Sequence, residues 1–150
     1  MVKITQKQAD ELILMLKNFL GNKEFLFPKS KGSIEFLVNG NNRNDEFLVN
    51  ISRKGKKIMG CTYQGRIKSN NIVLVRLDIN PSAVHRNPTG EIFTGSHIHF
   101  YTEEFHEKFA IPFNTDKTDI YEIRHKFYEI FNIIKPPIIN YQTSLNDLGE

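Results

Sequence analysis

The sequence predicts an α+β fold: an antiparallel meander of five or six strands flanked by an N-terminal helix and a C-terminal helix. Three observations predict it. A capped amphipathic stretch opens the chain, period-two alternation runs from about 33 to 79 between turn signals, and helical periodicity returns after residue 118. At 150 residues the chain is long enough to bury a core, and no repeat or break in composition divides it. A single domain over 1–150 is expected.

The elements follow in order. Thr5 and Gln8 stand three apart, as a capping box requires, with Ile4 ahead of them as a hydrophobic staple. Ala9, Leu12, Ile13, Leu16, Phe19 and Leu20 then recur at helical spacing, and Gly21 sits where a C-terminal cap belongs. This predicts a helix over 6–20, with Lys7, Asp10, Glu11 and Lys17 facing water. Ile34, Phe36 and Val38 alternate with polar neighbours, as do Phe47, Val49 and Ile51. Turn signals at 40–44, Lys54-Gly55 and Ser69-Asn70-Asn71 separate four strands, the third over 58–66 and the fourth over 72–79. After a Pro/Asn/Gly-rich loop, 96–101 reads as a fifth strand and 109–113 as a short sixth. A second helix begins near Asp116 or Thr118 and presents Ile120, Ile123, Phe127, Ile130, Phe131 and Ile134 on one face until Pro136-Pro137 stops it. The tail over 138–150 is expected to fray.

Composition narrows the function classes. Hydrophobic residues make up 39% and charged residues 25%, as in an ordinary soluble domain, and no apolar run approaches the roughly 18 residues of a membrane helix. One cysteine, Cys61, excludes an internal disulfide framework and fits a reducing compartment. Its strand setting makes it a packing residue. A cytoplasmic protein without a membrane partner is the expectation. The net charge of +3 is compatible with a polyanionic partner.

Chemistry concentrates between residues 76 and 106, which hold four of the five histidines. In a strand, residues two apart share a face, so Arg76 pairs with Asp78 and His97 with His99. His85 lies in the intervening loop. Imidazoles with a guanidinium and a carboxylate can run metal-free cleavage of RNA. One imidazole takes the 2′-hydroxyl proton, another protonates the leaving oxygen, and Arg76 or Arg86 steadies the phosphorane while Asp78 orients a histidine. Tyr101, two residues beyond His99, is placed to stack on a base. Arg53, Lys54, Lys56 and Lys57 crowd a hairpin turn that could track a phosphate backbone. Two blander readings stand beside this one: the histidines serve as hydrogen-bonded struts, and the basic turn is a solvated tip. His97-x-His99 is also a known ligand arrangement, completed by His85, Asp78, Glu103 or His106. Its spacing is not diagnostic and no cysteine is near, so no metal and no cofactor is expected.

The run Arg76-Leu77-Asp78, then His85-Arg86-Asn87-Pro88 with Gly90, then His97-Ile98-His99, resembles a signature of small bacterial and phage proteins, with Glu103 and the segment 108–112 in keeping. It is more distantly similar to the TumE-like toxins of toxin–antitoxin modules. That resemblance covers about 35 of the 150 residues and implies RNA-directed toxicity. The expected function is therefore a toxin-like, metal-independent ribonuclease or RNA-binding protein centred on His85, His97, His99, Arg76 and Asp78. RNA and a protein partner such as an antitoxin are the implied partners. The alternative is a non-catalytic interaction protein of a phage or mobile element that inhibits a nucleic-acid-handling partner.

Overall fold

A computed structural model describes residues 3–55, 60–115 and 119–141. Helix α1 spans Gln6–Leu14, and its N-terminus carries the capping box: Gln8 N–H donates to the Thr5 hydroxyl while the Thr5 N–H donates to the Gln8 side chain. The central meander is as the alternation predicts. Strands β3 (Ser33–Gly40), β4 (Glu46–Arg53), β5 (Cys61–Ile67) and β6 (Val73–Asp78) pair in sequence, each antiparallel to the last. Beyond β6 come β9 (His97–Phe100) and β10 (Ala110–Pro112), also antiparallel.

The sheet is larger than expected and mixed. It has eight strands in the order β10-β9-β6-β5-β4-β3-β1-β11, because β1 (Lys17–Asn18) and β11 (Ile133–Lys135) extend its far edge and pair parallel to each other. Both additions come from stretches that read as helix. Met15 leaves the helical region (φ −58°, ψ 134°), so α1 ends at Leu14 and not at residue 20. Lys17 is fully buried rather than solvated: its ammonium donates to the carbonyls of Ile13, Met15 and Phe131 at 2.9, 2.8 and 2.7 Å. Those carbonyls at two helix ends need donors, and a buried lysine supplies them. Helix α2 (Ile120–Phe131) likewise stops early, at Asn132 in the left-handed conformation, which turns Ile134 into an exposed strand residue.

Two small sheets complete the fold. Strand β12 (Ile139–Asn140) pairs parallel to β2 (Phe25–Leu26), so the segment expected to fray contributes a strand there. Strands β7 (Val84–Arg86) and β8 (Ile92–Thr94) form a hairpin inside what read as a loop.

The two faces of the large sheet differ in use. Phe47, Tyr63 and Gly65 meet α2: Phe131 lies edge-on to Phe47 at 5.7 Å between ring centroids, and Tyr63 lies 5.8 Å from Phe127. A Cβ on Gly65 would stand 2.5 Å from the Phe131 ring, so only glycine admits the helix this close. Residues of the other parity, Thr62, Arg76, Asp78, His97 and His99, point to the opposite face, beneath the β7–β8 hairpin. No helix among the described residues is long and apolar enough to cross a membrane.

Candidate functional site

Register brings the two sequence-predicted pairs together. In the β6–β9 ladder Asp78 is opposite His97 and Arg76 opposite His99, while Thr62 on β5 is opposite Asp78. Directly opposed residues on one face have Cβ atoms about 5 Å apart, so these side chains must meet. Asp78 is the hub. One carboxylate oxygen accepts from the Thr62 hydroxyl at 2.8 Å, and the other accepts from Arg76 Nε at 3.2 Å, with Nε2 of His97 and His99 at 3.3 and 3.5 Å. Burial alone would raise this carboxyl. Neighbouring His99, the Arg76 charge, the Thr62 hydroxyl and His97 outweigh it and hold the group well below the usual carboxylate range. Asp78 is therefore ionised at neutral pH.

The hairpin delivers the third imidazole. His85 pairs with Phe93 across β7–β8, and both rings turn inward, 5.4 Å apart, while Val84, Arg86 and Ile92 turn out. The His85 ring centre lies 5.1 Å from that of His97 and 5.1 Å from that of His99, and His97 and His99 are themselves 5.1 Å apart.

Hydrogen bonds fix which nitrogen of each ring faces the centre. His97 Nδ1 lies 3.0 Å from the Gly95 carbonyl and His99 Nδ1 2.7 Å from the Glu107 carbonyl. A carbonyl only accepts, so both Nδ1 atoms carry hydrogen. Gly95 has φ +122°, a conformation suited to glycine, in the turn whose carbonyl meets His97. His85 Nε2 lies 2.8 Å from Asn87 Oδ1, and Asn87 cannot be flipped, because it also accepts from the Ala110 N–H and donates to the Ala110 carbonyl at 2.8 and 2.9 Å. His85 therefore donates from Nε2 and leaves Nδ1 free of that bond. The neutral rings thus direct Nδ1 of His85 and Nε2 of His97 and His99 away from their anchors. Arg76 donates to His99 Nε2 at 3.0 Å.

Two clefts open onto this cluster and share Arg76. One, about 420 Å³, is lined by Lys54, Thr62, Asp78 and His97. The other, about 570 Å³, is lined by His85, Arg86, His99 and Lys108.

Two of the basic and aromatic expectations need correction. Arg53 is not at a turn tip: it is buried at the end of β4 and its guanidinium reaches the Pro28 carbonyl at 3.4 Å. Tyr101 is not available to a base, being buried with its hydroxyl bonded to the Ile4 backbone and its ring stacked on His106 at 5.6 Å. Lys54 and Arg86 are exposed at the clefts, whereas Lys56 and Lys57 lie outside the described residues. Thr62 and Asn87 belong to the site and were missed; Asn87 stood within the His85–Pro88 run, but Thr62 acquires its role only through register.

No curated protein and no solved structure matches the chain significantly. A family model does match, over residues 4–133, which includes every residue of the cluster. The chain belongs to that family, a family of unknown function (DUF6978).

Proposed function

We propose that the chain acts on RNA, whose phosphate backbone crosses the two clefts and places one phosphodiester at Arg76, over the three histidines. The observation that carries this reading is the meeting of the clefts at Arg76, with exposed Lys54 at one end and exposed Arg86 and Lys108 at the other. A row of cations flanking reactive imidazoles suits a polyanion with a scissile phosphorus. The distant similarity of the Arg76–His99 run to TumE-like toxins is in keeping with it.

Cleavage by this route withdraws the proton of a 2′-hydroxyl, forms a bond from that oxygen to phosphorus, breaks the bond to the 5′-oxygen and gives that oxygen a proton, leaving a 2′,3′-cyclic phosphate. Arg76 supplies positive charge for the phosphorane through a two-pronged fork. Ring nitrogens of His85, His97 and His99 handle the protons, directly or through a water. The test is anisotropy of labelled single-stranded RNA across a salt series, with a cleavage gel alongside. Substituting Lys54, Arg86 and Lys108 by alanine should flatten the log-affinity against log-salt slope by about 2, at roughly 0.7 per phosphate contact. His97→Ala should lower any cleavage rate by about 10²–10⁴-fold. Cleavage that persists in excess EDTA keeps the imidazoles as acid and base; cleavage lost in EDTA transfers proton handling to metal-bound water.

The second reading, a non-catalytic protein that inhibits a nucleic-acid-handling partner, is supported by Val84 and Ile92, 71% and 56% exposed on the outer face of the hairpin. Parent protein without detectable RNA affinity at low salt would move the conclusion there.

A further inference from the structure

We propose that His85, His97 and His99, with the Asp78 carboxylate, form a binding site for one divalent transition-metal ion of the zinc type. This goes beyond the RNA reading and rests only on the cluster's geometry.

Anchoring is the first argument. Each of the three rings spends one N–H on a fixed acceptor, namely the Gly95 carbonyl, the Glu107 carbonyl and the Asn87 amide oxygen. Metal-binding histidines are held this way, because the outer hydrogen bond sets the tautomer and leaves a lone pair for the ion. A solitary histidine on a carbonyl would mean little. Three side by side, two from β9 and one from the hairpin, each held by an acceptor on a different segment, are harder to account for as struts.

Dimensions are the second. A tetrahedral ion with nitrogen donors at about 2.0–2.1 Å separates those donors by roughly 3.4 Å and the ring centres by about 5 Å. The ring centres here form an equilateral triangle of 5.1 Å sides. One ring nitrogen from each histidine lies within 4.8 Å of the others. Closure onto an ion needs inward movement of little more than about 1 Å.

Charge is the third. The Asp78 Oδ2 faces Nε2 of His97 at 3.3 Å and of His99 at 3.5 Å, near the separation of adjacent tetrahedral ligands. Both Nε2 atoms present lone pairs when the rings are neutral, and such a lone pair sits well against a carboxylate oxygen only where a proton or another cation stands between them. At His99, Arg76 fills that role, donating at 3.0 Å to His99 and at 3.2 Å to Asp78. A metal ion held by the three imidazoles would take that place, with the Asp78 carboxylate beside His97 and His99 to balance its charge. Arg76, with its side chain one-third exposed, has room to swing into the clefts when the ion enters. Imidazole with one carboxylate is a donor set for zinc, cobalt, nickel or iron, and a poor one for magnesium or calcium.

The experiment uses untagged full-length protein, stripped with EDTA and desalted, then titrated with ZnCl₂ by calorimetry and with CoCl₂ by visible absorption, no RNA present. The expected result is one equivalent of zinc, and intense cobalt d–d bands of a four-coordinate nitrogen-rich site. His85→Ala should weaken binding at least about 100-fold, while His125→Ala, on α2 outside the cluster, should not change it. Arg76→Met separates the two proposals, because it removes a competing positive charge: metal binding should tighten while RNA binding weakens. No zinc uptake, a weak octahedral-type cobalt spectrum, or affinity indifferent to His85→Ala overturns the metal site. RNA affinity is read separately in EDTA, so either proposal can fail alone. If His85→Ala loses the parent's circular dichroism spectrum, the cobalt spectrum of the parent decides.

Discussion

Asn87→Ala is the most informative perturbation of this molecule, because one side chain ties three parts of the site. Its amide accepts from the Ala110 N–H and donates to the Ala110 carbonyl, pairing with the outer edge of β10 as a neighbouring strand would, and it also accepts from His85 Nε2. Asn87 is 4% exposed and Ala110 1% exposed, so neither backbone group can turn to bulk water when the amide is removed. Leaving a buried polar group without its partner costs about 1–3 kcal/mol. Two such groups on Ala110, with partial rescue by a water entering the vacated space, give roughly 2–4 kcal/mol. For a chain of this length about 1 kcal/mol moves the midpoint by roughly 2–4 °C, so the variant should melt some 6–12 °C lower. Thermal unfolding followed by circular dichroism checks it. The same substitution frees His85 from its tautomer, and zinc affinity should fall about 10–100-fold as for other outer-shell losses. A midpoint within 2 °C of the parent would refute the claim that Asn87 closes the sheet edge and positions His85.

Two further outcomes test the scaffold. Burial pushes the Lys17 ammonium from 10.5 down to about 7; between those values the unfolded chain holds a proton that the folded chain has released, so this residue makes unfolding free energy rise with pH across that window. Lys17→Met should remove that rise, seen as a difference between parent and variant in urea midpoints from pH 7 to 10, and parallel profiles would count against it. Gly65→Ala places a methyl 2.5 Å from the Phe131 ring and should cost about 1–3 kcal/mol by overpacking; an unchanged urea midpoint would show that α2 shifts freely on the sheet.

The sequence made the meander legible because each of its strands has an inner and an outer face, and turn residues separate them. Strands β1, β2, β11 and β12 are two or three residues long, too short for alternation to register. The N-terminal helix was extended falsely because Leu16, Phe19 and Leu20 keep its spacing by coincidence. Phe19 in fact joins Phe25 and Phe36 in an aromatic cluster on the strand side, and Leu16 and Leu20 are exposed. For the site, period two was enough to put Arg76 beside Asp78 and His97 beside His99. What it lacked was register: β6 pairs with β9 across an eighteen-residue excursion (79–96), and only that pairing sets Asp78 against His97, while the register of the β5–β6 hairpin sets Thr62 against Asp78. Arg53 misled for a related reason. A basic run reads as one solvated patch, yet its first member has the parity of Ile51 and follows it into the interior.

Arg76 is where the two functional proposals meet, although the imidazole lone pairs themselves serve either proton transfer or an ion and not both at once. Its guanidinium is split between Asp78 Oδ2 and His99 Nε2, so neither a phosphate nor a metal finds its preferred partner free. A phosphate needs the fork turned outward into the clefts. A metal ion needs the His99 lone pair that the fork occupies. Each ligand therefore asks Arg76 to make the same movement, away from the histidines, and whichever binds first has already met part of the cost for the other. Such coupling is reciprocal by thermodynamic necessity. It also gives a physical reason for an arginine at this position: a lysine could neutralise Asp78, but it could not span the carboxylate and an imidazole with one planar group.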